Sequence, residues 1–175
     1  HESEKSDPEK ELSVLKGSLI RSLRDGESVF GTWCILPCPE VVNVIAKADL
    51  DFVIIDLEHG PADSRTTQQM VVAAQAEGCA AVVRVGANTE ASVLRALDVG
   101  ADGVIVPHIE TAADCGRAMR SMKYPPLGTR GYSPYQRAGG YHVSPGYVEA
   151  ANQETLAGVI VEGKSGLANL DRILD

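Results

Sequence analysis

No apolar run in the 175 residues approaches the roughly 18 that cross a bilayer, so no membrane-spanning helix is expected. The chain opens on a polar stretch with no secretory signal pattern, and residues 1 to about 7 are left out of fold reasoning. Positive charge is in deficit: 16 Lys and Arg stand against 24 Asp and Glu, a net charge of −8. That balance argues against a nucleic-acid or anionic-membrane surface. Paired cysteines are also lacking. Cys34, Cys38, Cys79 and Cys115 contain no CxxC, and Pro37 and Pro39 interrupt the spacing of Cys34 and Cys38. Zinc and disulfides are therefore not expected; buried free thiols in a cytoplasmic protein are.

What the chain does have is a regular alternation. Leu12, Leu15, Leu19 and Leu23 repeat at helical spacing, with Asp7-Pro8 as a start and Gly26 as a stop. Residues 1–27 thus read as a polar N-terminus and a leading amphipathic helix. From 28 to 175, strand and helix patterns alternate every 20–30 residues. Strands are predicted over 29–36, 52–59, 80–85, 103–106 and 157–161. Helices are predicted to start at Pro39, at Asp63 or Ser64, at Asn88 or Thr89, and at Thr111, where Thr111–Asp114 makes a variant capping box. A short helix follows Ser144-Pro145, and Leu167, Leu170, Ile173 and Leu174 mark a last one. The strands are almost wholly apolar, as in a parallel sheet buried on both faces. A (β/α)₈ TIM barrel fits the order, but a full one takes about 250 residues. These 175 residues carry only its first five β/α units; an open, doubly wound sheet of five strands is the alternative.

Chemistry concentrates at the strand exits, where parallel α/β folds place it. Phe52 to Ile55 is a buried strand pattern that leaves through Asp56, Glu58 and His59 and then breaks at Gly60-Pro61. Residues two apart on a strand share a face, so Asp56 and Glu58 project together. Arg84 sits among valines, which is costly unless it meets an anion such as Asp56 or Asp98. Strand four leaves through Pro107 and His108, which would line the same mouth; strand five leaves through Glu162 and Lys164. His142 reads as a solvated loop residue. Residues 158–165 match the Walker A spacing, but a Val-Ile-Val spacer wants to be a strand and Glu162 would repel a phosphate. The long connection over 124–140, with Arg130 and Arg137, is expected to be functional.

Six segments in order, Phe52–Pro61 (FVIIDLEHGP), Val82–Val85 (VVRV), Leu97–Gly100 (LDVG), Val104–His108 (VIVPH), Tyr124–Gly131 (YPPLGTRG) and Val159–Ser165 (VIVEGKS), resemble the HpcH/HpaI aldolases. These are metal-dependent pyruvate aldolases of the phosphoenolpyruvate/pyruvate barrel superfamily. The resemblance covers about residues 28–175. It implies a divalent metal, Mg²⁺ or Mn²⁺, held by Glu162. It makes His59 the general base, Asp98 the group that raises its basicity, and Arg84 the stabiliser of the transition state. Ile160 stands where some members carry a substrate-contacting Gln. The Gly-Pro-x-Asp-Leu segment that carries the second metal-binding carboxylate in the family is not in this sequence. The resemblance further implies a homo-oligomer, a hexamer built as a trimer of dimers, acting on a small keto acid and an aldehyde.

The expected reaction is reversible cleavage of a 4-hydroxy-2-oxo acid or a 2-keto-3-deoxy sugar acid to pyruvate and an aldehyde. The aldehyde end is expected to face the 124–140 connection. A CoA-thioester lyase, or a Schiff-base aldolase through Lys164, is the alternative; the Glu58-His59 pair favours the metal aldolase. A catalytically incomplete barrel fragment is the third reading. Val53, Ile55, Val83, Ile105 and Ile160 are expected on the inner face, and strands six to eight in a longer polypeptide.

Overall fold

The computed structural model describes residues 18–175. Helix α1 (Ser18–Arg24) leads into strand β1 (Gly31–Cys34), helix α2 (Pro39–Ala46) and strand β2 (Phe52–Asp56). Helix α3 (Ser64–Gln75), strand β3 (Ala80–Arg84), helix α4 (Glu90–Asp98), strand β4 (Gly103–Val106) and helix α5 (Ala112–Met122) continue the alternation. A connection holding one 3₁₀ turn (Arg137–Gly139) reaches helix α6 (Tyr147–Glu154), strand β5 (Leu156–Val159) and the short helices α7 (Gly163–Ala168) and α8 (Leu170–Leu174). The Asp7-Pro8 start and Leu12 and Leu15 lie outside the described residues.

Local chemistry sets these boundaries. Asp63 accepts from the Thr66 N–H at 2.7 Å, and Thr89 from Ser92 at 3.2 Å, each satisfying an orphan donor of the first turn. Thr111 and Asp114 exchange bonds as a capping box, both at 3.1 Å. Gly78 and Gly100 follow α3 and α4 with φ of 78° and 91°, the left-handed conformation that ends a helix without a Cβ clash.

The strands are all parallel and lie in the order β1-β2-β3-β4-β5. Each strand pairs with its neighbour in sequence, which is barrel winding. A doubly wound sheet reverses direction at a switch point, and this one does not. The larger core joins Val53, Ile55, Ala81, Val83, Val104 and Val106 to buried residues of the helices, such as Val42, Met70, Val71, Leu97 and Met122. The other face gathers Ile54, Ala80 and Val82 with Leu19 of α1, flanked by Phe52, Ile105 and Leu156.

The expected inner face is therefore corrected. Val53, Ile55 and Val83 point to the helices, whereas Ile105 does belong to the inner set. Parity explains the inversion. Asp56 and Arg84 belong on the mouth side, and residues two and four earlier, Ile54 and Phe52 on β2 and Val82 and Ala80 on β3, share their face.

Candidate active site

The site grows from one register pair. Asp56 and Arg84, the last residues of β2 and β3, stand directly opposite each other. Arg84 donates to Asp56 from Nε at 2.9 Å and also from Nη2, a bidentate pair, while its Nη1 lies 2.9 Å from Glu58 Oε2. The guanidinium lies 4.6 Å from the ring centre of Trp33 on β1. The arginine buried among valines thus meets Asp56 rather than Asp98, and Asp56 and Glu58 do project to one side.

Asp56 is 1% exposed. Burial alone would raise its pKa, but the Arg84 hydrogen bond and the N–H groups of Glu58 and His59, at 2.9 and 3.3 Å, outweigh it and hold it below the usual carboxylate range. Hydrogen bonding to Asp56, with the charges of Asp56, Glu58 and Glu162, pushes Arg84 up against its own desolvation. Asp56 also shapes the turn that follows, because the two N–H groups it accepts from carry the backbone to His59.

His59 projects from that turn with 67% of its side chain exposed, its Nε2 4.0 Å from Glu58 Oε1. His108 enters from the end of β4 with a φ of 56°, an uncommon conformation for a residue with a side chain. Its Nε2 is 2.7 Å from Glu58 Oε1 and its Nδ1 3.0 Å from Glu162 Oε1. The His108 backbone N–H donates to the same Glu162 oxygen at 3.0 Å. Asp56, Arg84, Glu58, His108 and Glu162 therefore form one chain of contacts across β2 to β5, with His59 beside it.

Asp98 does not join this cluster within the chain. It ends α4, the point from which the backbone turns back to the start of β4, so it lies at the opposite end of the sheet from His59. There it pairs with Arg130 at 3.0 Å. Arg130 is buried and stacks 4.5 Å from the centre of the Tyr124 ring. The 124–140 connection occupies that same far end. Arg137 donates to Gln75 and to the Val99 carbonyl, at the ends of α3 and α4. The expectation that this connection faces the aldehyde is therefore corrected for the single chain: α5 runs antiparallel to the strands and delivers it away from their carboxyl ends. Two cavities of about 370 and 360 Å³ lie at this far end, one beside Arg137 and the other beside Arg130, away from the strand exits.

Ile160 follows β5, and its backbone bonds to Val106 and Ile109; an apolar side chain at that point supplies no hydrogen bond to a substrate. Lys164 is exposed on α7, without the apolar enclosure a Schiff-base lysine uses. In the Walker-like segment Gly158 and Val159 end β5, and Ile160 to Glu162 link it to a six-residue helix, so of the Val-Ile-Val spacer only Val159 is strand. His142 is exposed in its loop, between the Gly140 carbonyl and Ser144. The four cysteines are free thiols.

Glu162, with 42% of its side chain exposed, is the carboxylate at the mouth open to an incoming cation. Mg²⁺ commonly takes one or two protein carboxylates and completes its shell with water and substrate oxygens. Glu162 fits one such position. Among the described residues no group of three His, Cys, Asp or Glu is placed to hold a metal by itself. Trp33 is the residue of this cluster that the sequence did not single out, whereas Glu58 and His108 were already placed at the mouth by their strand exits. His108 had a signal in its place after a strand; Trp33 had none.

Carboxylates, an arginine and exposed histidines gather at the carboxyl ends of barrel-ordered strands, where barrel folds place their active sites. The model of the HpcH/HpaI aldolase/citrate lyase family matches residues 30–175, and the chain belongs to that family. It is 34% identical over 151 residues to the 2-dehydro-3,6-dideoxy-6-sulfogluconate aldolase of Pseudomonas putida, covering 86% of this chain and 59% of that protein. It is 34% identical over 155 residues to the hydroxypyruvate/pyruvate aldolase of Roseobacter denitrificans, covering 88% and 60%. The crystal structure of an HpcH/HpaI aldolase/citrate lyase family protein from Burkholderia cenocepacia superposes with a TM-score of 0.84 at 34% identity, over 90% of this chain and 64% of that one. The chain thus spans about three-fifths of the length of the relatives it matches.

Proposed function

We propose that this chain carries the catalytic mouth of a divalent-metal-dependent aldolase, one that cleaves a 4-hydroxy-2-oxo acid or a 2-keto-3-deoxy sugar acid to pyruvate and an aldehyde. The observation that carries the reading is the bidentate Asp56–Arg84 pair with Glu58 and an exposed His59 beside it at the strand exits. The relatives' names, a sulfogluconate-type sugar acid aldolase and a hydroxypyruvate/pyruvate aldolase, support the substrate class.

His59 is the proposed general base, taking the proton of the C4 hydroxyl as the C3–C4 bond breaks. Its exposure lets the imidazole reach a substrate above the mouth. Within one chain, Glu58 is the carboxylate beside it, and it takes the supporting role that the resemblance gives to Asp98. Arg84 faces the negative charge that develops on the three-carbon fragment. Because Asp56 already fixes the guanidinium, that donor needs no reorganisation when the charge appears. Mg²⁺ or Mn²⁺ bound at Glu162 would supply Lewis-acid polarisation of the substrate's keto and carboxylate oxygens. Ile160 would then offer the substrate an apolar contact.

The exposed Phe30, Ile35 and Leu36 beside edge strand β1 support the further reading that this chain works within a homo-oligomer.

Pyruvate release, followed with a coupled dehydrogenase, tests the reaction. A chelator should abolish it and Mn²⁺ or Mg²⁺ should restore it, and borohydride with pyruvate should leave no covalent adduct. Release that survives the chelator and is trapped on Lys164 would replace this reading with the Schiff-base one.

A further inference from the structure

We infer that Trp33 is a positioning residue for Arg84, setting the tilt at which the guanidinium meets the substrate, an inference resting on the aldolase reading above. Trp33 stands opposite Ile54 in the β1–β2 register and so shares its inner face. From there the indole reaches across β2 to Arg84 on β3, whose Cζ lies over the ring at 4.6 Å from its centre. Among the described residues Trp33 packs in neither of the two apolar cores, and it is 45% exposed. Burial therefore does not account for an aromatic side chain at this position; the cation beside it does.

The other contacts of Arg84 are made at the edges of the guanidinium. Asp56 takes Nε and Nη2, and Glu58 stands 2.9 Å from Nη1. Two carboxylates fix where those edges lie, but a hydrogen-bonded edge can still tilt about its own axis. A ring against which Cζ itself rests opposes that tilt, because the π-face attracts the whole cation through its quadrupole. The N–H groups of Nη1 and Nη2 that no carboxylate takes then stay aimed at the charge developing on the three-carbon fragment. The indole also keeps water off one side of the cation, which strengthens its remaining electrostatic contacts.

The test joins steady-state kinetics to side-chain NMR, on the intact protein and on its Trp33→Leu and Trp33→Phe variants. Leucine keeps an apolar side chain and removes the π-face; phenylalanine keeps a smaller π-face. Trp33→Leu should lower kcat for pyruvate release about 3- to 30-fold, with KM and the thermal melt unchanged. Trp33→Phe should retain most of the turnover. In the wild-type protein the Arg84 Nε–H, protected by Asp56 and assigned by its loss in Arg84→Lys, should resonate upfield in the ring current of Trp33. That displacement should vanish in Trp33→Leu. Wild-type kcat in Trp33→Leu would overturn the inference, as would an Arg84 resonance that does not move or a Phe variant no better than Leu. A raised KM with kcat intact would overturn it too, since that marks a wall that only binds substrate. Each of these results leaves the aldolase reading standing. No pyruvate release by the wild-type protein would remove that reading, and the role of Trp33 with it.

Discussion

Arg84 meets two carboxylates with one guanidinium, and Asp56 is the one it depends on. Removing one partner of a buried pair leaves the other charge uncompensated, at a cost of about 3–5 kcal/mol. Asp56→Asn should therefore lower unfolding free energy by about that amount, measured by denaturant titration near neutral pH. The pH dependence has a definite sign. The folded-state pKa of Asp56 lies below its ordinary 3.8. Its contribution is full above that ordinary value and is lost as pH falls through the folded one. The wild-type protein should lose stability there, and Asp56→Asn should show less of that acid loss; parallel acid limbs would count against the pair. At the same scale, His59→Ala should cut aldol turnover by about 10²- to 10⁴-fold, the usual worth of a general base, with little change in melting temperature. Near-normal turnover would remove His59 from the mechanism.

The β2 exit works because its turn packs tightly against the turn after β1. A Cβ on Gly60 would lie 2.1 Å from the Asp56 carbonyl oxygen and 2.9 Å from that of Ile35. Both are backbone atoms, so neither can rotate away. Gly60→Ala should displace the turn carrying Glu58 and His59 and cost about 1–3 kcal/mol, with turnover falling more than stability because the site is the part displaced. A variant with wild-type turnover and melt would show that the turn yields freely. Thr111→Ala removes the α5 cap and should cost about 1 kcal/mol by denaturant titration, without touching the site.

The five-stranded sheet has the winding of a barrel and two edges, β1 and β5. Leu19 of α1 covers part of the inner face, yet Trp33, Ile35 and Leu36 remain substantially exposed toward the β1 end. Unpaired parallel edges and exposed apolar groups invite association. A polypeptide of residues 18–175 by itself should therefore self-associate, seen by light scattering after size exclusion. It should also bind Mn²⁺ weakly, since among the described residues no group of three metal-binding side chains is placed to hold an ion. A monomer with a sharp cooperative melt would show that five strands suffice.

Much of this was written in the one-dimensional pattern. Apolar runs bounded by cap residues and glycines dictate the alternation of strand and helix, because each cap and stop acts within a few residues of itself. Reactive side chains at strand exits mark the mouth for the same local reason. The face of each strand was also legible in principle, since Asp56 and Arg84 set the parity, but apolarity on both faces concealed it. Only the tertiary structure decided which charges meet. Arg84 had two candidate partners in sequence, and strand register joined it to Asp56 while helix direction carried Asp98 to the far end, to Arg130. The contact of His108 with glutamates 50 and 54 residues away depends on the side-by-side placement of β2, β4 and β5 exits and on one left-handed residue, which no local spacing encodes.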